Sequence, residues 1–413
     1  MQPVDRIPLQ PWMNGPAAAP VFAALAAGGV TARFVGGCVR DAVLGLAIGD
    51  LDVCTPASPE RVMALVRAAG LKAIPTGIEH GTVTVVAEHT PVEVTTLRRD
   101  VETDGRRAVV AFTDDWVEDA TRRDLTLNAL YLDPDGTVYD PIGEGLADAR
   151  AGRIRFVGDP ATRIGEDVLR ILRFFRFWAR FGREPLDPDG LAACALLADR
   201  IPGLSGERVW SELAKLLVAR RAVEALAAMA RAGVTARLWP GGADVERATA
   251  AIAVEQGLGL EPDAVRRLAA LIATPEAVEP AAERLRLSRA ETVRVRRALT
   301  VDGTPAAGDR ERRARVYRAG GEAYLDARIL HAAAAGEDPA AVAADRDTAA
   351  GWTPPAFPIG GRDVAVLGVP QGPETGRLLR AVEDAWVADD FAGDAAACRA
   401  RLAALVDQGR QQQ

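Results

Sequence analysis

Strand-forming signals are confined to the first 150 residues of this chain, and helical periodicity fills the rest. That asymmetry predicts an α+β chain in which an N-terminal mixed sheet with flanking helices precedes an all-helical remainder. ARFVGG is a strand entering a glycine turn, VRDAVLGL a short helix, and DLDVCT a second strand bounded by Gly49 and Pro56. Ser58 and Pro59 open a further helix, because the serine caps it, the proline suits its first turn, and ERVMALVRAAG carries apolar residues at helical spacing. GTVTVVAE and VEVTTL, joined by the short turn HTP, predict neighbouring antiparallel strands. After Arg150, EDVLRILRFFRFWARFG, SGERVWSELAKLLVARRAVEALAAMARAG and TPEAVEPAAERLRLSRAETVRVRRAL all have helical periodicity. The cluster GWTPPAFPIGGRDV marks a junction before a last helical unit, and there is no fixed-period repeat.

At 413 residues the chain exceeds one ordinary core. Its 49% apolar and 26% charged residues match a soluble globular protein. No apolar run reaches the roughly 18 residues of a membrane helix, and the N-terminus has no basic region followed by an apolar stretch, so a cytoplasmic protein without membrane attachment is expected. Cys38, Cys54, Cys194 and Cys398 have no metal-binding spacing and are expected to be buried or half-buried thiols. With three histidines there is little material for a zinc site or a histidine-centred relay. A net charge of −7 argues against broad coating of nucleic acid but allows a local basic surface.

Asp50 and Asp52 stand two apart on a predicted strand, which sends both carboxylates to one face while Leu51 and Val53 face the core. Hard oxygens so placed suit Mg²⁺, which completes its shell with water and substrate phosphates. A lone Asp-x-Asp is more often the polar face of an edge strand. Glu93, in mid-strand in VEVTT, adds a third carboxylate if its strand lies beside that of Asp52, and such a triad can hold two metal ions. Gly36 and Gly37 form a turn that opens a helix, where backbone amides suit phosphate, and Arg40 follows one helical turn later. The spacing is neither G-x-G-x-x-G nor a P-loop. That spacing and the loss of strands after residue 150 argue against a dinucleotide-dependent oxidoreductase.

Taken in order, FVGGCVRD, IGDLDV, EVTTL, DATRRDLTLNAL and GEDVLRILRFFRF resemble the successive motifs of the class II tRNA nucleotidyltransferases, the CCA-adding enzymes. SGERVWSELAKLL extends the resemblance to residue 216, and FPIGGRDVAVLGVPQGPETGRLL resembles the family's C-terminal domain. The resemblance implies a nucleotidyltransferase-type head at 1–148, a helical neck at 149–222, a body at 223–335 and a tRNA-binding tail at 336–413. It implies that Gly36, Gly37 and Arg40 contact the triphosphate, that Asp50 and Asp52 bind Mg²⁺, and that Glu93 is the third acidic position. Arg123 matches a nucleotide-contacting residue, with Asp124 and Asn128 near the sugar and phosphates, while Leu125 replaces the more usual phenylalanine.

In GEDVLRILRFFRF, the spacing puts Glu166, Asp167 and Arg170 on one helical face, where the bland expectation is an ion-pair ladder. The sharper one is a protein template: a carboxylate accepts from the amino group of cytosine or adenine while a guanidinium donates to the ring acceptors. Uracil and guanine would face the carboxylate with a carbonyl, costing about one to a few kcal/mol. The resemblance assigns this role to Asp167 and Arg170, with Arg173 and Arg176 extending the basic side. It also makes the polar segment 98–120, otherwise a surface loop, a flexible loop involved in switching from C to A addition. The basic runs ERLRLSRAETVRVRR and GDRERRARVYR become candidates for gripping the tRNA acceptor arm.

The implied activity is template-independent addition of CCA to tRNA 3′ ends from CTP and ATP, with release of pyrophosphate by a two-metal carboxylate mechanism. The rivals are a bacterial poly(A) polymerase, an A-adding or CC-adding specialist, and a non-catalytic RNA-binding protein on a decayed transferase fold. The last predicts missing carboxylates, yet all three are present.

Overall fold

A computed structural model describes residues 1–104 and 107–411, without the side chains of 100–104 and 107–110. The chain divides into two compact units, one of Met1–Ala243 with Glu283–Arg286 and the other of Asp244–Ala282 with Leu287–Gln413. The expected head and neck fall together in the first unit.

The first unit opens with β1 (Pro3–Arg6), α1 (Ala19–Ala27), β2 (Arg33–Val35), α2 (Gly37–Val43), β3 (Leu51–Thr55) and α3 (Pro59–Ala68). There follow β4 (Lys72–Gly77), β5 (Thr82–Ala87), β6 (Thr90–Thr96), β7 (Arg98–Asp104), β8 (Arg107–Phe112), α4 (Trp116–Thr121), β9 (Tyr131–Leu132) and β10 (Thr137–Tyr139). Helices then take over: α5 (Gly145–Ala151), α6 (Pro160–Glu166), α7 (Arg170–Phe181), α8 (Pro188–Leu197) and α9 (Gly206–Leu217). Eight strands form one mixed sheet in the order β1-β10-β9-β2-β3-β6-β5-β4. β3 and β6 run parallel, and β5 and β6 form the expected antiparallel pair. The Ser58 hydroxyl caps α3 by accepting from the Arg61 amide.

Alternation fixes the register at the centre of this sheet. Val83 and Val85 of β5 and Val92 and Val94 of β6 are fully buried, and each contributes about 1.5–3 kcal/mol of apolar burial. They pair as Val83 with Val94 and Val85 with Val92. A slip of one residue would bury Glu93 and expose the valines, so the same side chains that stabilise the sheet hold Glu93 on the open face.

Three local expectations are corrected. Asp50 lies one residue ahead of β3 rather than on it. The segment 98–120 is no loop: β7 and β8 pair as an antiparallel hairpin with an irregularity between Asp100 and Glu102, and α4 follows. The β-branched run AVVAF supplies the second arm, while the 105–106 part of the segment lies outside the described residues. The stretch GEDVLRILRFFRF is not one helix either. α6 stops at Glu166, Asp167 is extended with φ −149° and ψ 106°, and α7 begins at Arg170.

The second unit is helical throughout. Its buried centre is ionic as well as apolar: Arg266 and Arg267 bond to Glu255, while Arg266 and Arg294 share Asp326. The C-terminal segment closes over its own apolar cluster of Val364, Leu378, Val382, Trp386 and Leu402. The arginines of the two basic runs are largely engaged within this unit, as in Arg296 with Glu279, Arg313 with Asp390 and Arg318 with Asp384. No described helix is long and apolar enough to cross a membrane. All four cysteines are free and buried, as expected.

Candidate active site

The parallel pairing of β3 with β6 sets Asp52 directly opposite Glu93. Asp52 is half-buried at the strand-end edge of the sheet, near the start of the interior strand β3, whereas Asp50 and Glu93 are exposed. Burial, the Glu93 charge and the Asp50 charge together push the Asp52 carboxyl up to about 6, against the opposing pull of Arg123. Cationic partners relieve such like-charge crowding. Among the described residues, no three His, Cys, Asp or Glu side chains are assembled into a metal cage. Two carboxylates with room beside them are nonetheless the donor set that Mg²⁺ takes when water and phosphates supply the remaining oxygens.

Gly36 has φ +71° and ψ −124°, a conformation natural only to glycine. A Cβ there would lie 3.9 Å from both Asp52 Oδ2 and Arg123 Nη1, so the turn sits between the acidic edge and a guanidinium. Gly37 then opens α2, and Arg40 Nη2 is 3.8 Å from where its Cβ would be.

Behind this edge lies a lattice of paired charges. Asp119 is fully buried, and its carboxylate accepts from both Arg122 and Arg123 and from the Tyr131 hydroxyl. Burial works to raise its pKa, but Arg123 and Arg122 prevail and hold it well below the usual carboxylate range. Arg123 Nη2 also reaches the Cys54 sulfur at 3.4 Å.

A second branch runs from the glycine turn to α7. Arg40 is buried, donates to Asp41 and to Asn128 Oδ1 at 2.8 Å, and lies against the Phe177 and Phe181 rings. Asn128 donates in turn to Asp124 Oδ1, whose other oxygen accepts from Arg173 at 2.6 Å. Glu212 of α9 then joins Arg173 and Arg176. Burial would raise the Asp124 carboxyl, but Arg173 and the Asn128 amide lower it to about 2.

The expected base-reading residues are near one another but do not share a helical face. In the turn ahead of α7 the Asp167 carboxylate accepts from the Leu169 amide at 3.1 Å, and its other oxygen accepts from Arg208 of α9 at 2.6 Å. Arg170 pairs with Glu166 and donates to the Arg122 carbonyl at 3.0 Å. The structure therefore joins Asp50, Asp52, Glu93, Gly36 and Arg123 at one edge, and Arg40, Asn128, Asp124, Arg173 and Arg176 in one network. Asp119, Tyr131, Arg208 and Glu212 are additions that the sequence reading passed over. Asp119 had a signal, since it precedes Arg122 and Arg123 by three and four residues.

Residues 32–155 match the family described as the Poly A polymerase head domain, and residues 185–245 match one described as a probable RNA and SrmB- binding site of polymerase A. The chain is 36% identical over 365 residues to the mitochondrial CCA tRNA nucleotidyltransferase 1 of Danio rerio, covering 86% of this chain and 83% of that protein. For the Homo sapiens counterpart the identity is 34% over 373 residues, with coverage of 86% and 82%. A solved structure of the Bacillus stearothermophilus CCA-adding enzyme in complex with CTP matches with a TM-score of 0.78 at 31% identity, over 96% of this chain and 98% of that one. The Thermotoga maritima CCA-adding enzyme complexed with tRNA shares the fold at 18% identity, with a TM-score of 0.64 over 98% of this chain and 100% of that one. These matches bear out both the resemblance carried by the five segments and the α+β fold class. The chain is an enzyme of the CCA tRNA nucleotidyltransferase family.

Proposed function

We propose that this chain adds C, C and A in turn to tRNA 3′ ends from CTP and ATP without a nucleic-acid template. The observation that carries the proposal is the register that sets Glu93 against Asp52, with Asp50 two residues ahead of Asp52 and Gly36 and Arg123 beside them. In the reaction the 3′-hydroxyl gives up its proton to a carboxylate or to water as its oxygen forms a bond to the α-phosphorus, the bond from the α-phosphorus to the oxygen bridging to the β-phosphate breaks, and pyrophosphate leaves with that oxygen. Asp50 and Asp52 would hold Mg²⁺, which supplies Lewis-acid stabilisation of the phosphoryl oxygens. Glu93, exposed on the same face, orients or activates the attacking hydroxyl. Arg123, locked by Asp119, presents its remaining nitrogen toward the triphosphate side of Gly36.

Asp167 and Arg170 are the proposed readers of the base edge. In the geometry described they are engaged by Arg208, and by Glu166 with the Arg122 carbonyl, so reading a base exchanges these partners for the amino and ring nitrogens of C or A. Asp124, Asn128, Arg173 and Arg176 would hold the sugar and phosphates through the network that joins them to Arg40. Incubation of the protein with a tRNA ending at the discriminator base, and with each nucleotide alone or together, tests the assignment. CCA ends from CTP plus ATP are expected. Long A tails from ATP alone would favour the poly(A) polymerase reading, and arrest after CC or addition of A only would mark a specialist.

A further inference from the structure

Arg173 and Arg176 stand three apart on α7 and share a face, where their like charges repel. Glu212 of α9 meets both of them. Its Oε2 accepts from Arg176 Nε, and its Oε1 is 3.7 Å from Arg173 Nη1. Asp124 also holds Arg173, at 2.6 Å, and continues through Asn128 to Arg40 beside the glycine turn. Glu212 is thus the anion at the α9 end of that network.

Exposure divides the roles. The Glu212 side chain is 8% exposed and that of Arg173 31%, so the carboxylate is closed off while the guanidinium it faces stays open to a ligand. The Phe177 ring adds a second constraint, with its centroid 4.1 Å from the Arg176 guanidinium carbon and 5.3 Å from that of Arg173. A guanidinium grips phosphate through a planar fork of donors, so its direction matters as much as its charge.

We propose that Glu212 is a positioning residue for the incoming nucleotide, acting through Arg173 and Arg176 to aim their free donors at the sugar and phosphates whatever the base. The proposal rests on the reading above that these arginines hold those groups. Plain charge and aiming predict opposite signs here. By Coulomb's law alone, removal of a negative Glu212 strengthens the binding of a triphosphate. Aiming predicts the reverse, because two arginines freed from their shared partner separate and must be ordered again when the nucleotide binds.

The test measures Kd for CTP and for ATP, each with Mg²⁺, together with Tm, on the full chain and its variants. Glu212→Gln, which keeps the shape and removes the charge, should raise both Kd values by about tenfold, the scale of one charge-assisted hydrogen bond. The ratio of kcat/KM for CTP to that for UTP on tRNA should not change, since the base is read elsewhere. Glu212→Asp, with the charge restored, should lie between Glu212→Gln and the wild type. In an Arg176→Ala background Glu212→Gln should add clearly less than it does alone, because part of its path is gone. Kd values that stay level or fall in Glu212→Gln, whatever its Tm, would overturn the proposal, as would full additivity with Arg176→Ala. Should Glu212→Gln fail to fold, Glu212→Asp decides by the same criterion. An Arg176→Ala protein that binds both nucleotides as tightly as the wild type would instead defeat the reading on which the proposal rests.

Discussion

Two groups of carboxylates in the first unit are in opposite electrostatic states. At the β3–β6 edge, Asp52 is crowded by Glu93 and Asp50 and its carboxyl is pushed up to about 6. A short way along the chain, Asp119 and Asp124 are each wrapped by arginines and pushed down. The same side chain thus serves two ends. Where like charges meet with few cations, the arrangement costs stability and suits a cationic ligand; where guanidinium and amide donors engage both oxygens, it fixes the scaffold.

Substitutions at the two groups should separate activity from stability. Asp52→Asn should lower nucleotide incorporation by roughly 10²-fold or more, the loss of several kcal/mol of charge stabilisation. Its Tm should stay level or rise, since a crowded charge is removed; a large fall in Tm would place Asp52 with the scaffold. Asp119→Ala should do the reverse in stability, costing about 3–5 kcal/mol because two arginines lose their buried partner. Denaturant unfolding measures this, and a cost under about 1 kcal/mol would mean that the lattice is not structural.

The acid limb of stability gives a smaller effect. The folded-state value of Asp124, about 2, lies below the ordinary carboxylate value near 3.9. Its contribution is therefore complete above about pH 4 and is lost as pH falls through 2, at most about 2.6 kcal/mol. Asp124→Asn should flatten that part of the stability–pH curve, and an unchanged slope between pH 4 and 2 would contradict the pairing with Arg173. The least effect on stability is expected from Arg208→Ala, because its pair with Asp167 is partly exposed and worth about 1 kcal/mol or less. Its consequence should instead be functional, as increased incorporation of U relative to C when Asp167 is no longer held in place.

The proposed catalytic edge was more legible in the sequence than the proposed base-reading region, for a physical reason. Side chains alternate along strands with period two, so Glu93 in VEVTT declared its face, and the valines around it fixed the register that brings it to Asp52. Asp167 carried no such signal. Helical spacing placed it with Arg170, and Gly165, two residues ahead, lies inside α6 and so did not by itself announce a break at Asp167. It is held by the hydrogen bond from the Leu169 amide and by Arg208, forty-one residues away. The hairpin of β7 and β8 was masked in a similar way, since charged and glycine-containing flanks outweighed AVVAF. Arg40 was legible as a residue near the turn, whereas its engagement with Asn128 depends on a contact across eighty-eight residues.

The central claim, that the Asp50, Asp52 and Glu93 edge performs CCA addition, is tested most directly by sequencing the products formed on a single tRNA ending at its discriminator base. Wild-type protein with CTP and ATP is predicted to yield ends extended by CCA and no further, and folded Asp52→Asn protein is predicted to leave the tRNA unextended. Extension by Asp52→Asn at the wild-type rate, or long A tails made by the wild-type protein from ATP alone, would contradict the account.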